Sequence, residues 1–256
     1  MAAAITAAMI AQASAHAATP VHYVALGDSY ASGVGAGNDT SSSGSCDRSA
    51  SAFPQLWANA HAPASFAFVA CSGASTQSVI SSQLSALNAG TTLVSVTAGG
   101  NDANFSGVME RCVLLWQSEC LDAVSSAESF IASTLPGRLD TMLRDIRAHA
   151  PSATIVVLGY PDLYDLSKSG SCVGLSTADR TALNQGANDL DSALSAAAAA
   201  NHDPFADVRS EFSGHVICDS ASWLHSVDIF AISSSYHPTA AGQADGYLPA
   251  FTRAVG

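Results

Sequence analysis

The sequence has few charged side chains and is almost without lysine. Asp, Glu, Lys and Arg make up 12% of its 256 residues, the formal net charge is −12, and Lys168 is its single lysine. Binding to a nucleic acid needs clustered Lys and Arg side chains, which the sequence lacks, so we expect no nucleic-acid partner. A polyanionic membrane surface is a poor partner for the same reason.

Motifs of several cofactor and metal sites are also missing. The sequence has no C-x-x-C or H-E-x-x-H zinc motif. The glycine-rich segment 33–37 has neither the G-x-G-x-x-G spacing nor the Lys-Ser/Thr of a phosphate loop, so it is interpreted as a surface loop. The segment 27–31, Gly-Asp-Ser-Tyr-Ala, lacks the last glycine of the G-x-S-x-G elbow, which argues against an α/β-hydrolase. We therefore expect no cofactor and no metal.

The first seventeen residues are interpreted as a cleavable signal peptide. Residues 2–17 are mostly small or apolar and end in Ala15-His16-Ala17, an A-x-A cleavage pattern before Ala18. The segment is too short to span a bilayer. It lacks the basic residues expected ahead of a signal core, which suggests a truncated or misassigned start, and the alternative is a disordered alanine-rich extension. We expect a secreted protein in which residues 18–256 form one domain.

Six cysteines lie outside this leader, and an even number after an export signal predicts three disulfides. Zinc ligation and free buried thiols are the alternatives, but the sequence lacks zinc motifs and an oxidising compartment disfavours free thiols. Six cysteines allow fifteen connectivities, so the count alone does not choose a pairing. The residues are Cys46, Cys71, Cys112, Cys120, Cys172 and Cys218.

Apolar runs that end in glycine-containing turns predict the strands of a parallel sheet. The runs are residues 23–26, 66–70, 91–97 and 154–158, followed by short β-like runs at 215–218 and 227–232. Helices are predicted at residues 53–61, 78–87, 135–149, 177–200 and 239–255, the last interrupted by Pro249. Residues 104–133 have no clear period. The alternation of strands and helices is typical of an α/β domain.

Candidate catalytic residues follow the first three predicted strands. Ser29 follows the first, Gly73 the second and Asn101 the third, and open α/β sheets bind ligands at these carboxyl ends. A serine hydroxyl becomes a nucleophile when a base, histidine at neutral pH, removes its proton. The anionic intermediate then needs donors such as a backbone N–H or an Asn amide. Taken singly, Gly73 and Asn101 are more often plain turn residues than donors.

Four short blocks in a fixed order resemble those of the SGNH (GDSL-type) hydrolases. They are Gly-Asp-Ser-Tyr at 27–30, Ser-Gly-Ala at 72–74, Gly-Gly-Asn-Asp at 99–102 and Tyr-His-Pro at 236–238. The resemblance extends from Val21 to Val255 and is, more narrowly, to the secreted bacterial lipases, phospholipases and esterases with three disulfides. It implies a three-layer α/β/α sandwich whose parallel sheet has about five strands in flavodoxin-like order.

The same resemblance implies roles for the residues of these blocks. Ser29 would be the nucleophile and, through its own N–H, an oxyanion donor beside the Gly73 N–H and the Asn101 side-chain amide. His237 would be the general base of a two-step acyl transfer through an acyl-enzyme. With an ordinary histidine pKa of about 6.5, activity is expected to rise with pH through that value. The family's disulfide pattern implies the pairs Cys46–Cys71, Cys112–Cys120 and Cys172–Cys218.

One position departs from the family pattern. Many members carry Asp three residues before the histidine, and Ser234 stands there in this sequence. Some similar secreted members use a backbone carbonyl instead. The resemblance thus implies a Ser–His dyad in which the carbonyl of Ser235, or alternatively Ser234, accepts the Nδ1–H of His237. Asp228 is the rival third member, but its offset does not match the family block.

The leading hypothesis is a lipid-ester hydrolase of the lipase or phospholipase A type. It would act as a monomer on a small-molecule or lipid ester, without stable membrane insertion. The apolar segment 105–116 is expected either to wall an acyl groove or to be ordinary core beneath a loop. A carbohydrate O-deacetylase is the second hypothesis and would need a polar groove. A non-enzymatic secreted binding module is the third hypothesis, but a pure binding protein has no need of Ser29, Gly73, Asn101 and His237 together.

Overall fold

The computed structural model describes residues 20–168, 172, 174–228 and 232–256. The expected leader at residues 1–17 and the middle of the predicted β-like run at 227–232 lie outside these described residues. Within them, no helix has the length and apolar character needed to cross a bilayer.

A parallel sheet of five strands forms the centre of the described fold, in the order β2-β1-β3-β4-β5. Its strands are β1 (His22–Gly27), β2 (Ser65–Phe68), β3 (Leu93–Thr97), β4 (Thr154–Leu158) and β5 (Phe205–Ala206). β3 is buried along its whole length and β1 from Tyr23 onward, which explains why both are largely apolar instead of alternating. The prediction of a flavodoxin-like sheet is confirmed.

Helices cover both faces of this sheet and complete the predicted three-layer α/β/α sandwich. In chain order they are α1 (Ser29–Ser32), α2 (Phe53–His61), α3 (Thr76–Ser82), α4 (Phe105–Leu114), α5 (Gln117–Ser133), α6 (Leu135–His149), α7 (Thr177–Ala200), α8 (Arg209–Phe212) and α9 (Leu248–Val255). One layer contains α3, α5, α6 and α7, and the other contains α2, α8 and α9. The core lies between each layer and the sheet.

The fifth strand is not where the sequence predicts it. β5 is a two-residue strand beside β4, too short to show a pattern in the sequence. The run at 215–218 is not a strand, although Ile217 makes an isolated bridge with Tyr164. The strand predicted at 227–232 is also wrong in its described part, since Ile232–Ser234 is a 3₁₀ turn. Short apolar runs are ambiguous because burial in a loop selects the same side chains as burial in a strand.

Most predicted helices agree with the structure. The predictions at 53–61, 135–149 and 177–200 match α2, α6 and α7, and the segment 104–133 forms α4 and α5. The helix predicted at 78–87 divides into α3 and a 3₁₀ turn, Leu84–Ala86. The helix predicted at 239–255 is helical over residues 240–255 but changes type beside Pro249. The π-helical segment Gly242–Tyr247 ends directly before α9, and Pro249 lies in the first turn of α9, where its missing N–H is tolerated.

Three disulfides cross-link the fold, in the pairs that the family pattern implies. They are Cys46–Cys71, Cys112–Cys120 and Cys172–Cys218. Cys46 ends a 3₁₀ helix in the loop that follows α1, and Cys71 lies two residues before Gly73. The first disulfide therefore joins the loop after Ser29 to the turn that carries Gly73.

Candidate active site

The first strand brings Ser29 to the carboxyl edge of the sheet through a turn that needs glycine. Gly27 has a φ of 128°, and a Cβ there would lie 2.5 Å from the carbonyl oxygen of Thr97. The N–H of Asp28 donates to the same carbonyl (2.9 Å), and the Asp28 side chain caps α1 by accepting the N–H of Tyr30 (3.0 Å). Ser29 is thereby held as the first residue of α1, where the strand order of the sheet reverses.

The loop before α9 brings His237 to Ser29. Its Nε2 lies 2.8 Å from Oγ of Ser29, within hydrogen-bond distance. On the other side of the ring, Nδ1 donates to the carbonyl of Ser235 (3.1 Å), whereas the carbonyl of Ser234 accepts the backbone N–H of His237 (3.1 Å). The backbone N–H of Asp228 donates to Oγ of Ser235 (3.0 Å). The ring has the orientation that a Ser–His dyad needs, and the geometry favours the Ser235 carbonyl.

Tyrosines hold the histidine loop in place. Tyr236 has a φ of 66°, which is uncommon outside glycine. Its carbonyl accepts the hydroxyl of Tyr30 (2.7 Å), and its own hydroxyl is hydrogen bonded to that of Tyr164 (2.8 Å). The Tyr30 ring also packs against the imidazole of His237, with 5.2 Å between the ring centroids. The residue before the histidine is fixed at both ends, so the loop presents His237 in one orientation.

The surroundings of His237 keep its imidazole neutral. Burial is the main cause that lowers the pKa of His237 from 6.5 to about 4; the nearby His225 acts in the same direction, and the hydrogen bond to the Ser235 carbonyl opposes them only in part. The ring is therefore a base at neutral and mildly acidic pH, able to accept the Ser29 proton. The expected midpoint near 6.5 assumed an unperturbed imidazole, and a sequence does not show how far a histidine is removed from water.

The two other predicted oxyanion donors lie on the turns after β2 and β3. Gly73 is exposed and has a φ of 76°. Asn101 donates from Nδ2 to the carbonyl of Ala74 (3.0 Å), so the two turns are in contact. An amide has two such N–H groups, and this bond uses one of them. Ser29 and Asn101 line one pocket, whereas Gly73 is not among the residues that line it.

Beside Ser29, Asp28 and Tyr160 form a buried pair that the sequence does not predict. The Tyr160 hydroxyl donates to Oδ2 of Asp28 (2.5 Å) and accepts the N–H of Gly100 (3.3 Å). It thereby connects the turn that carries Ser29 with the turn that carries Asn101. Burial raises the pKa of Asp28 to about 7, while the hydrogen bond from Tyr160 acts in the opposite direction. Tyr160 follows the fourth predicted strand, which places it at the same edge of the sheet, but no motif there indicates its pairing with Asp28.

An apolar pocket lies beside Ser29 and opens to solvent. Its helical lining is almost wholly aliphatic or aromatic and comes from α4, α5 and α7. These residues are Phe105, Val108, Val124, Ala127, Ile131, Leu183, Gly186, Ala187 and Leu190. Such a pocket can hold an apolar chain while Ser29 remains at its edge.

The predicted wall at residues 105–116 is correct only in its first part. Phe105 and Val108 line the pocket, but Leu114, Leu115 and Trp116 are exposed to solvent. The rest of the wall belongs to α5 and α7, which sequence reasoning did not assign to the site. Positions 183, 186, 187 and 190 share one face of α7, and this spacing is equally typical of an ordinary core face.

Two other histidines of the described region pack on tryptophan rings. His61 stacks on Trp57, and His215 stacks on Trp223. Within the described part of the chain, no three His, Cys, Asp or Glu side chains are grouped as a metal site requires.

Comparison with known proteins points to one family. The model of the GDSL-like lipase/acylhydrolase family matches residues 25–244. The chain is 52% identical over 253 residues to Lipase 1 of Streptomyces coelicolor, an alignment that covers 99% of this chain and 93% of that protein.

Two solved structures are similar in both sequence and fold. Phospholipase A1 from Streptomyces albidoflavus superposes with a TM-score of 0.90 at 52% identity, covering 92% of this chain and 100% of that one. An extracellular lipase from Streptomyces rimosus superposes with a TM-score of 0.89 at 49% identity, covering 91% and 99%. The similarity therefore extends over nearly the whole chain.

Proposed function

This chain belongs to the GDSL-like lipase/acylhydrolase family and is a carboxylic ester hydrolase, and we propose that it cleaves fatty-acyl esters of lipids with Ser29 as its nucleophile. One observation carries the proposal: Oγ of Ser29 lies 2.8 Å from Nε2 of His237 at the edge of an apolar pocket. The lipase and phospholipase A1 among its relatives support a lipid substrate.

In the first step, Oγ of Ser29 attacks the ester carbonyl carbon while Nε2 of His237 takes the hydroxyl proton. The Nδ1–H of the imidazolium stays hydrogen bonded to the Ser235 carbonyl, which replaces the usual carboxylate. The N–H groups of Ser29 and Gly73 and the Asn101 amide stabilise the oxyanion. The imidazolium then protonates the leaving alkoxide, so the alcohol departs and the acyl group stays on Ser29.

In the second step, neutral His237 removes a proton from water, which attacks the carbonyl carbon of the acyl-enzyme. The second oxyanion forms at the same donors. When it collapses, the bond to Oγ of Ser29 breaks, His237 returns the proton to that oxygen, and the carboxylic acid leaves.

The pocket between α4, α5 and α7 is the proposed acyl site. Each methylene removed from water contributes about 0.8 kcal/mol, so longer chains gain binding energy until the pocket is filled. A carbohydrate deacetylase would need polar groups to hold a sugar, and the apolar wall argues against that alternative. The contact between Ser29 and His237 argues against a pure binding module.

We also propose that the protein is a secreted monomer in which residues 18–256 form one domain after removal of residues 1–17. Three disulfides are typical of proteins made for oxidising compartments. The relative from Streptomyces rimosus, itself described as extracellular, supports this location.

Hydrolysis of p-nitrophenyl esters from acetyl to palmitoyl tests the proposed function. The inactive variant is Ser29→Ala, and Ser129→Ala, at an exposed serine of α5, is the matched control. We expect medium or long chains to be preferred, a loss of about 10³-fold or more in Ser29→Ala, and wild-type rates in the control. A preference for acetyl would favour the deacetylase, and activity surviving in Ser29→Ala would remove Ser29 from the mechanism. Inactivity on every ester would favour the binding module.

A further inference from the structure

The connection between α4 and α5 exposes an unusual amount of apolar surface. Leu114 is 66% exposed, Leu115 53% and Trp116 83%, and we call these three residues the hairpin tip. The described residues contain two further exposed large apolar side chains, Leu121 in the same hairpin and Leu166 elsewhere. Single exposed apolar residues are common on protein surfaces, but a contiguous group marks a contact with an apolar partner.

The hairpin tip is held rigidly in this exposed position. The disulfide Cys112–Cys120 closes the hairpin directly behind it. The Gln117 side chain next to it donates to Oγ of Ser176, the N-cap of α7 (2.6 Å). The tip is therefore preorganised, and little conformational freedom is lost when it binds.

The two helices on either side of the hairpin tip also supply part of the lining of the acyl pocket. Val108 lies six residues before Leu114 in α4, and Val124 lies eight residues after Trp116, close to the middle of α5. At a rise of 1.5 Å per residue, the tip is about 10 Å beyond these pocket-lining residues. A surface that receives the tip would therefore lie close to the pocket.

The chemistry of the three tip side chains and the area that they expose indicate which kind of surface the tip binds. Trp and Leu are suited to the interface of a lipid layer, where Trp is enriched. The net charge of −12 disfavours an anionic surface. A second copy of the chain is a weaker candidate, because three side chains supply roughly 500 Å² and a stable dimer buries about 800 Å² on each partner.

We propose that the hairpin tip inserts into the surface of zwitterionic lipid aggregates and holds the acyl pocket against them. This inference rests on the proposed lipid-ester activity, since the role that we assign to the tip is to bring the pocket to substrate in lipid aggregates. Soluble monomeric esters reach Ser29 without this contact, because none of the three tip residues lines the pocket.

Binding to phosphatidylcholine vesicles tests the inference, measured by co-sedimentation with Ser29→Ala in every variant so that the lipid is not hydrolysed. We expect Trp116→Ala to weaken binding about tenfold, and Leu115→Ser by a similar factor. Leu166→Ser removes a 38% exposed leucine outside the hairpin and should bind as well as its parent. Equal binding by the Trp116→Ala variant would overturn the inference. The inference would also be overturned if sedimentation showed that the protein is a dimer and that Trp116→Ala abolishes the dimer.

Activity measurements with an intact Ser29 separate this inference from the proposed function. Trp116→Ala should hydrolyse soluble p-nitrophenyl butyrate at the wild-type rate, which also shows that it folds, and should hydrolyse vesicle lipid about tenfold more slowly. An equal loss on both substrates would overturn the inference. If the wild type binds vesicles through Trp116 but hydrolyses no ester, the proposed function fails while the tip contact stands.

Discussion

The site has two halves that are built in different ways. One half is formed by the turns at the ends of β1, β2 and β3, and the other is lined by the helices α4, α5 and α7. Around Ser29 and His237, backbone hydrogen bonds and positive-φ residues such as Gly27 and Tyr236 fix each atom. In the proposed acyl pocket, apolar side chains from three helices share one surface, and such side chains have no donors or acceptors that could orient them.

The two halves should therefore respond differently to mutation. In the proposed mechanism, the chemistry at Ser29 depends on donors and acceptors at distances near 3 Å, so one removed group should lower kcat for every ester. The pocket acts through its area and volume, so a change there should alter which ester is preferred. The following predictions test this separation.

The largest effect is expected from Asn101→Ala. Losing one oxyanion donor should lower kcat by about 10²–10³-fold, equally for butyryl and palmitoyl esters, because the donor faces the carbonyl and not the chain. Steady-state kinetics on both esters measure this. Asn59→Ala removes an exposed asparagine of α2 and serves as the control. A normal kcat in Asn101→Ala would remove this amide from the oxyanion site.

Filling the pocket should change chain-length preference instead. Gly186 faces the pocket, and Gly186→Leu adds bulk that competes with the acyl chain. We expect the ratio of kcat/KM for palmitoyl over butyryl esters to fall about ten- to a hundredfold, with butyryl hydrolysis retained. Gly137→Leu is the matched control, since nothing lies within 4 Å of a Cβ at that glycine of α6. An unchanged ratio would show that the acyl chain lies elsewhere.

The pH dependence should reflect the burial of His237 and be the same for all chain lengths. A general base must be neutral, so activity is present above the pKa of His237 and lost as the pH falls through it. With a pKa of about 4, kcat/KM at pH 5 should be about 90% of its plateau, against about 3% for an ordinary pKa of 6.5. The measurement is a pH–rate profile on a soluble ester, with circular dichroism to verify folding. A midpoint near 6.5 would contradict the neutral, buried imidazole.

The smallest effect is expected from Asp228→Asn. The carbonyl of Ser235 already accepts Nδ1–H of His237, so this change should lower kcat less than about tenfold, whereas disabling the carboxylate of a Ser-His-Asp triad costs about 10⁴-fold. Kinetics on p-nitrophenyl butyrate distinguish the two. A loss of thousands-fold would make Asp228 the third member and end the dyad interpretation.

The sequence by itself determined the parts of this protein that depend on short segments. Gly27 has a φ of 128°, which residues with a Cβ rarely adopt, and a strand, a glycine and Ser29 in succession encode that turn locally. The same holds for the apolar runs of β1, β3 and β4 and for the cap and period of α7. Backbone geometry of this kind involves only neighbouring residues, so a short motif specifies it.

Only the tertiary structure decided what depends on distant residues meeting. Asp28 and Tyr160 are 132 positions apart, and the pocket wall combines side chains from three helices. β5 is a strand only because β4 lies beside it, and the pKa of His237 follows from how much water the packed loops exclude. Which distant residues meet, and how deeply each is buried, depends on how the whole chain packs, so no local sequence pattern around these residues indicates it.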